Sequence, residues 1–317
     1  MTDLHRVIVL AGGLSPERDV SLRSGQQVAQ ALRDVGVDAV VSDVHAGLLT
    51  LLAADAPDAV FPVLHGVSGE DGTLYEVLRM AGLPYVGAEP GACRLAFDKA
   101  VAKALLVRAG LNTPAWLTLP RQAFGDLGAA RLSDLVIGRL GLPLCVKPRA
   151  GGSAFGVSRV DRPEDLAAAL MAAFGYHDEA LIERWVTGTE VAVGVVDLGG
   201  EPVALPAVEI VPDSGRYDYT ARYTAGATEF FCPARLSTSD SEAVASAALS
   251  AHRALGLRDL SRTDMVVDPA GTAFILETNV APGMTTTSTF PMALRAGDRD
   301  FGLVCRDLAA QAATRPS

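Results

Sequence analysis

The chain has 317 residues, of which 49% are hydrophobic and 20% are charged, and its formal net charge at pH 7 is −10. This composition supplies a large buried core and excludes a disordered chain. The acidic balance argues against a nucleic-acid-binding protein, which needs concentrated positive charge. A small ligand that bears phosphates stays compatible with it, because a few well-placed cations can serve one site.

The beginning of the chain and its cysteines favour a cytoplasmic protein. Residues 1–6 lead straight into an apolar run without the basic flank and apolar stretch of a signal peptide. No charge-free apolar window is long enough for a membrane span. The four cysteines lack metal-ligand or redox spacing, so we expect buried thiols, with a lone nucleophile as the alternative. They are Cys93, Cys145, Cys232 and Cys305.

The first third of the chain alternates apolar, β-branched runs with helical periodicity. We predict strands at 7–11, 38–44 and 60–64 and helices at 21–35 and 71–81. This order is typical of a parallel sheet, in which ligands bind at the carboxyl ends of the strands. The loops around Glu17 and His65 therefore face one crevice. A nicotinamide-dependent dehydrogenase shares the pattern, but the glycine fingerprint after the first strand is absent.

Two further segments complete a three-part α/β chain, which we divide at 1–88, 89–186 and 187–317. The second segment has predicted helices at 98–109 and 163–174, strands at 144–147 and 180–183, and a glycine-rich turn at 150–156. The third is rich in strands and has helices at 241–255 and 300–313.

The glycine-rich turn is a candidate phosphate site. Lys147 ends the strand before it, and Lys99 begins a helix directly after a loop. Glycines let backbone N–H groups approach phosphate oxygens, and a lysine adds a point charge. The spacing matches neither a Walker loop nor a dinucleotide fingerprint, and an ordinary glycine hairpin is the alternative interpretation.

Two polar strands, 261–267 and 272–279, form a predicted hairpin that carries a candidate metal site. A four-residue turn would pair Arg262 with Glu277 and would place Asp264 opposite Ile275. Since side chains alternate between faces, Arg262, Asp264, Glu277 and Asn279 then share one face. Two carboxylates and an amide oxygen suit Mg²⁺, especially when phosphates supply the remaining ligands. A solvated surface hairpin is the alternative.

Several motifs in the same order make the chain resemble the D-alanine–D-alanine ligases of the ATP-grasp superfamily, from residue 6 to about residue 312. They are AGGLSPERDVS at 11–21, HGVSGEDG at 65–72, the Lys147 hairpin, YDY at 217–219, Tyr223, FCPA at 231–234, ETN at 277–279 and PGMT at 282–285. The resemblance implies an α/β ATP-grasp fold: an N-terminal parallel-sheet (preATP-grasp) domain and two α+β subdomains that clasp ATP.

The resemblance also implies the ligands of the site. It implies ATP with two Mg²⁺ or Mn²⁺ ions, held by Asp264, Glu277 and Asn279, and a potassium ion as an activator. The residues that it assigns to ATP are Lys99, Lys147, Ser153, Glu183, Arg184, Trp185, Val186, Glu190 and Arg222. Among these, Glu183 meets the adenine amino group and Glu190 meets the ribose.

The substrate residues follow from the same resemblance. Glu17 receives the ammonium group of the first D-alanine, beside Val20 and His65, while Ser288 and Thr289 meet the second substrate. Glu17, Ser153 and Tyr223 form a hydrogen-bonded trio that closes a loop at about 212–227 over the site. Arg262 and the backbone N–H of Gly283 stabilise a tetrahedral intermediate.

The activity so implied is ATP-dependent ligation of two D-alanine molecules through a D-alanyl phosphate, for peptidoglycan precursors. We expect a cytoplasmic homodimer whose partners are ATP and D-alanine, without nucleic acid or membrane. A lid is required because an acyl phosphate hydrolyses in an open site.

Three departures from the family pattern keep alternatives open. Ala154 stands where the family has a second serine, Arg222 stands for the lysine before the lid tyrosine, and Thr289 stands for a leucine at the second-substrate carboxylate. A relative that joins D-alanine to D-serine, D-lactate or another amino acid is the first alternative, although Tyr223 favours an amine nucleophile. A nucleotide-binding regulatory protein is another, opposed by the retained cations and carboxylates.

Overall fold

The computed structural model describes residues 4–213, 215, 221 and 226–315. The strands of the described part are β1 (Arg6–Leu10), β2 (Asp38–Ser42), β3 (Ala59–Pro62), β4 (Trp116–Pro120), β5 (Leu144–Pro148), β6 (Ser158–Val160), β7 (Glu179–Arg184), β8 (Thr189–Val196), β9 (Val203–Ala204), β10 (Val208–Pro212), β11 (Thr228–Phe231), β12 (Leu260–Val267) and β13 (Ala273–Asn279).

The helices of the same part are α1 (Arg18–Asp34), α2 (Leu48–Ala54), α3 (Val67–Glu70), α4 (Thr73–Met80), α5 (Pro90–Phe97), α6 (Lys99–Arg108), α7 (Arg121–Leu127), α8 (Ala129–Leu140), α9 (Leu166–Phe174), α10 (Thr238–Ala254), α11 (Thr289–Ala296) and α12 (Phe301–Ala313). A 3-10 turn at Pro163–Asp165 precedes α9. None of the helices in the described ranges is both long and apolar enough to span a membrane.

The N-terminal sheet is parallel, as the alternating pattern predicts. Its strand order is β2-β1-β3, and four of the five residues of β1 are buried because the strand has neighbours on both sides. The helix predicted at 71–81 is α4, and the HGVSGEDG segment before it contains a further short helix, α3. Gly72, with a φ of 84°, separates them, a left-handed conformation that glycine adopts without steric cost.

The central sheet is antiparallel, with the order β4-β7-β5-β6. Its apolar face packs against α9 and α8 and forms a hydrophobic core of its own, to which Leu144, Leu170 and Ile182 belong. The opposite face of β5 and β7 is thereby left to carry polar side chains.

The C-terminal sheet has six strands in the order β11-β10-β8-β12-β13, with β9 added at β8. Helices α5 and α6 of the central segment pack against β13, and the C-terminal helix α12 packs against α1 and β3 of the N-terminal segment. The three sheets are thereby held together, and the loops at their ends converge on the polar residues described next.

Candidate active site

The predicted metal hairpin exists, but its predicted register is wrong. Arg262 pairs with Asn279, and Asp264 pairs with Glu277. Asp264 therefore lies directly opposite Glu277 and not opposite Ile275. The two carboxylates are cross-strand neighbours, which brings them closer together than the predicted register does.

Two single-residue insertions explain the difference. Val267 pairs with Ala273, so the connection has five residues and not four, and a bulge at Leu276 follows between the two ladders. Each insertion alone would turn the polar residues of β13 to the opposite face. Together the two insertions cancel in their effect on the alternation of side chains, so the four polar side chains still share a face.

Cations of the chain already balance both carboxylates. The Arg262 guanidinium donates from Nε and Nη2 to the two carboxylate oxygens of Asp264, at 2.7 Å each. Asn279 Nδ2 donates to Asp264 Oδ2 at 3.2 Å, and Lys99 Nζ lies 3.2 Å from Glu277 Oε2. Within the described residues, no cluster of three or more His, Cys, Asp or Glu side chains forms a metal site. The oxygen donors of the hairpin fit Mg²⁺ when phosphates complete its coordination.

A cavity of about 290 Å³ lies between the central and C-terminal sheets. Most residues predicted for ATP line it, namely Lys99, Lys147, Glu183, Arg184, Trp185, Val186 and Glu190, and so do Asp264 and Glu277. The guanidinium of Arg159, a residue that the sequence analysis missed, lies 4.7 Å from the centre of the Trp185 ring. Ser153 does not line this cavity but the neighbouring one.

Glu183 is almost completely buried between two lysines. Lys147 Nζ lies 2.5 Å from its Oε1 and Lys103 Nζ lies 2.7 Å from its Oε2. Burial by itself raises the pKa of Glu183, but the two ammonium groups outweigh it and hold the pKa below its usual range. Burial lowers the pKa of Lys103, whereas Glu183 overcomes burial and raises that of Lys147. Sequence reasoning missed Lys103, whose one signal is its position four residues after Lys99 on the same helix face.

A second cavity, of about 600 Å³, holds the predicted amino-acid residues of the described part. Glu17, Val20, His65, Ser153, Arg262, Gly283, Ser288 and Thr289 line it, together with Arg23 and Glu70, which the sequence analysis did not assign to the site. Gly152, Asp264 and Glu277 line both cavities. The carboxylates of the hairpin therefore stand where the two cavities meet.

Glu17 joins the N-terminal and central segments. Ser153 Oγ donates a short hydrogen bond to Glu17 Oε1. Two glycines make room for this carboxylate: a Cβ at Gly66 would lie 2.1 Å from Glu17 Oε2, and one at Gly152 would lie 2.9 Å from Oε1. Ser153 itself has a φ of 49°, a strained backbone conformation for a residue with a side chain. A larger residue at either glycine would displace Glu17.

His65 and Glu70 are buried beside Glu17, and burial shifts the pKa of each toward its neutral form. Burial, reinforced by the nearby Arg262 charge, lowers the pKa of His65 to about 4. Burial and the negative charge of Glu17 raise the pKa of Glu70 to about 8. His65 Nδ1 lies 3.2 Å from the carbonyl oxygen of Ala281, and its Nε2 lies 3.3 Å from Ser24 Oγ.

The far end of the larger cavity is rich in hydroxyl groups. Ser288 Oγ accepts a hydrogen bond from the backbone N–H of Thr285 at 3.1 Å and lies 2.8 Å from Thr285 Oγ1. Gly283 is needed here, because a Cβ would lie 2.7 Å from Ser288 Oγ. Thr289, the first residue of α11, is buried and contributes to the cavity wall.

The predicted loop at about 212–227 lies mostly outside the described residues. Arg222, Tyr223 and the YDY motif at 217–219 fall in the part that the structure does not describe. The roles predicted for Arg222 and Tyr223 therefore stay predictions. Of this loop, Ala221 and Gly226 line the larger cavity and Gly215 lines the smaller one.

Comparison with known proteins identifies the family. Residues 105–309 match the family model described as D-ala D-ala ligase C-terminus, and residues 49–88 match that described as D-ala D-ala ligase N-terminus. A D-alanine–D-alanine ligase of Bordetella petrii is 41% identical over 98% of this chain and 93% of its own length. One of Pelotomaculum thermopropionicum is 40% identical over 93% of both chains.

Solved structures of this family share the fold. The VanG D-Ala:D-Ser ligase of Enterococcus faecalis superposes with a TM-score of 0.83 at 28% identity, covering 98% of this chain and 100% of its own. The D-alanine–D-alanine ligase of Bacillus anthracis complexed with ATP gives 0.81 at 27% identity, covering 97% of both chains. These matches confirm the predicted α/β ATP-grasp fold. The chain belongs to the D-alanine–D-alanine ligase family.

Proposed function

We propose that this chain ligates two D-alanine molecules to D-alanyl-D-alanine at the expense of ATP, as an enzyme of peptidoglycan precursor synthesis. The observation that carries the proposal is the position of Asp264 and Glu277, which line both cavities. A phosphoryl group that enters from the ATP side and a carboxylate that enters from the other side meet at these residues. The relatives named D-alanine–D-alanine ligase, which cover nine tenths or more of the chain, support it.

The reaction has two steps. The carboxylate of the first D-alanine attacks the γ-phosphorus of ATP, which gives D-alanyl phosphate and ADP. The amine of the second D-alanine then attacks the acyl carbon and expels inorganic phosphate. Negative charge develops on oxygen in both steps, which explains why the site concentrates cations. Asp264, Glu277 and Asn279 would hold divalent ions, which would neutralise charge on the phosphate oxygens and polarise them.

The residues of the smaller cavity hold the nucleotide. Lys99 and Lys147 bind the phosphates of ATP, and Ser153, from the wall of the neighbouring cavity, and Arg222 are assigned to the same ligand by the family resemblance. Arg184, Trp185 and Val186 border the adenine. The amino group of the adenine donates a hydrogen bond to Glu183, and Glu190 binds the ribose hydroxyl groups.

The residues of the larger cavity orient the two amino acids. Glu17 binds the ammonium group of the first D-alanine beside Val20 and the neutral His65. Ser288 and Thr289 bind the second D-alanine. The tetrahedral intermediate places its oxyanion between the Arg262 guanidinium and the N–H of Gly283, and Ser153 with Tyr223 and Glu17 closes the loop that keeps water out.

Finer features belong to the same proposal. The metal is two Mg²⁺ or Mn²⁺ ions per site, and a potassium ion activates the enzyme. The chain works as a cytoplasmic homodimer, with ATP and D-alanine as its partners and without nucleic acid or membrane. The three segments 1–88, 89–186 and 187–317 are the units that open and close around the substrates.

The test is phosphate release from ATP with D-alanine alone, with L-alanine, and with D-alanine plus D-serine or D-lactate. We expect D-alanine alone to support release with one dipeptide formed per phosphate, and L-alanine to support none. Absence of release with D-alanine alone would refute the proposal.

A D-alanine–D-serine ligase is the second candidate. Thr289 places a hydroxyl in the wall of the second-substrate end, and the Enterococcus faecalis structure of similar fold is a D-Ala:D-Ser ligase. If D-serine is the preferred second substrate, mixed D-alanyl-D-serine will exceed D-alanyl-D-alanine when the two amino acids compete at equal concentration.

A further inference from the structure

Lysine is rare in this chain, and its distribution singles out one residue that the proposed chemistry leaves unused. The sequence contains three lysines, Lys99, Lys103 and Lys147, against 24 arginines. All three are buried, and all three lie at or next to the ATP cavity. An ammonium is a compact point charge and a guanidinium is a broad planar fork, so the two are not equivalent in a tight buried site.

Lys103 stands behind the wall of the ATP cavity. Its side chain is 1% exposed, and its Nζ lies 2.7 Å from Glu183 Oε2, while Lys147 holds the other oxygen of the same carboxylate. Glu183 is opposite Trp116 in the β4–β7 ladder, and Lys103 Nζ lies 5.8 Å from the centre of the Trp116 ring. The Lys103 ammonium therefore lies close to both Glu183 and its cross-strand neighbour Trp116.

A second contact ties Lys103 to the metal hairpin. Its Nζ donates to Thr113 Oγ1 at 2.5 Å, and Thr113 Oγ1 donates to the carbonyl oxygen of Ile275 at 2.8 Å. Ile275 immediately precedes the bulge that sets Glu277 opposite Asp264. One buried ammonium thus anchors Glu183 and also reaches the strand that carries Glu277.

The buried negative charge of Glu183 requires cationic partners on both of its oxygens. Glu183 is 2% exposed, so a carboxylate in that position requires partners that offset its lost hydration. With Lys147 alone, one of its oxygens would be buried without a cation, and the carboxylate could rotate toward the remaining lysine. With both lysines it is held from two sides.

We propose that Lys103 is a positioning residue for nucleotide recognition, which fixes Glu183 so that its carboxylate and Lys147 present one geometry to the adenine and phosphates of ATP. This inference rests on the proposed use of ATP but not on the identity of the amino acids. Lys103 acts through Glu183 and does not itself line the described wall of the ATP cavity.

The test is equilibrium binding of the Mg²⁺ complexes of AMP-PNP and GMP-PNP to the whole chain, without amino acids, by calorimetry. We expect Lys103→Met to weaken AMP-PNP binding by roughly 10- to 100-fold, the range seen when an outer partner of a ligand-holding group is removed. We also expect the preference for AMP-PNP over GMP-PNP to narrow, which a general loss of stability would not cause. AMP-PNP affinity within about threefold of the original, with the preference intact, would overturn the proposal.

A double-mutant cycle with Glu183→Gln decides whether Lys103 acts through that residue. In the Glu183→Gln background, we expect Lys103→Met to change AMP-PNP affinity by less than about threefold, and a full additive loss would overturn the proposal. This comparison needs only Glu183→Gln and the double variant, so it decides the matter even if Lys103→Met alone does not fold. Failure of D-alanine ligation would leave these binding results unaffected, so the two proposals fail separately.

Arg315→Met is the matched control. Arg315 forms an ion pair with Asp259, a completely buried carboxylate that also accepts from the N–H of Gly87 and does not line the described ATP cavity. We expect this variant to lower the melting temperature and to leave AMP-PNP affinity within about twofold of the original. If Arg315→Met weakens nucleotide binding as much as Lys103→Met does, the effect of Lys103 is one of general stability and the proposal is wrong.

Discussion

The carboxylates of the smaller cavity and the two buried groups His65 and Glu70 of the larger cavity have opposite environments. In the smaller cavity, carboxylates have cationic partners: the buried Glu183 lies between Lys103 and Lys147, and the partly exposed Glu277 lies beside Lys99. In the larger cavity, His65 and Glu70 form no ion pair within the described residues, and burial shifts the pKa of each toward its neutral form.

The difference matches the ligands that we propose. ATP brings several negative charges and metal ions, so a site with paired charges can exchange its internal partners for those of the ligand. A D-alanine molecule is a small zwitterion with little net charge, and the part of the larger cavity around Glu17, where His65 and Glu70 are shifted toward their neutral forms, suits its ammonium end.

Glu277→Gln removes one of the two carboxylates shared by both cavities. We expect turnover to fall by about 10²- to 10³-fold or more, because charge stabilisation of the transferring phosphoryl group is lost. Circular dichroism is expected to show an unchanged fold. Glu242→Gln, at an exposed position of α10, is the matched control and is expected to leave the rate unchanged. Retained activity in Glu277→Gln would show that Glu277 is not a required metal ligand.

Thr289→Leu tests the polar end of the larger cavity. Thr289 is buried in the wall of that cavity, so leucine removes a hydroxyl and adds apolar surface. We expect the ratio of D-alanyl-D-serine to D-alanyl-D-alanine to fall by about tenfold, in the range that one side-chain contact provides. Product ratios measured in competition provide the readout. An unchanged ratio would show that the Thr289 hydroxyl does not contribute to the choice of second substrate.

Glu70→Gln tests the neutral state of the larger cavity. The pKa of Glu70 rises from 4.5 to about 8, so between these values the folded chain keeps a proton that the unfolded chain releases. The free energy of unfolding therefore decreases as pH rises through this window, and glutamine removes that slope. We expect the free energy of unfolding of the variant, minus that of the original chain, to increase between pH 5 and pH 8 when both are measured by urea unfolding. An equal stability difference at both pH values would contradict the assigned neutral state.

His65→Gln tests the neutral state of the other buried group, for which the free energy of unfolding changes with pH in the opposite direction. The pKa of His65 falls from 6.5 to about 4, so between these values the unfolded chain binds a proton that the folded chain does not. The contribution of His65 to stability is complete above pH 6.5 and decreases as pH falls toward 4. We expect the variant to lose part of the acid sensitivity of unfolding between pH 6.5 and 4.5. Identical acid profiles of the two proteins would contradict a buried neutral His65.

The sequence predicted those features that depend on local pattern. The parallel N-terminal sheet followed from its β-branched runs, and the shared face of the metal hairpin followed from strand alternation. The hairpin register did not follow, because the bulge depends on contacts far along the chain. Ile275 N–H donates to the carbonyl oxygen of Asn112, and Thr113 donates to the carbonyl oxygen of Ile275.

Long-range pairing also explains why part of the site was missed. Lys103 looks like an ordinary helix residue in the sequence, and its partner Glu183 lies 80 residues further along the chain, on β7. Glu70 looks like an exposed acid in a glycine-rich loop, but the structure buries it beside Glu17. Neither environment can be read from neighbouring residues, since both result from contacts between residues that lie far apart along the chain.

The most direct test of the account uses D-alanine labelled with ¹⁸O in both carboxylate oxygens. An acyl phosphate transfers one carboxylate oxygen to phosphorus, so we predict that the released phosphate carries one ¹⁸O atom for each D-alanyl-D-alanine formed. Mass spectrometry of the phosphate and of the dipeptide measures both quantities in one reaction. Unlabelled phosphate would show that water, and not D-alanine, attacks ATP, and would contradict the proposed ligation.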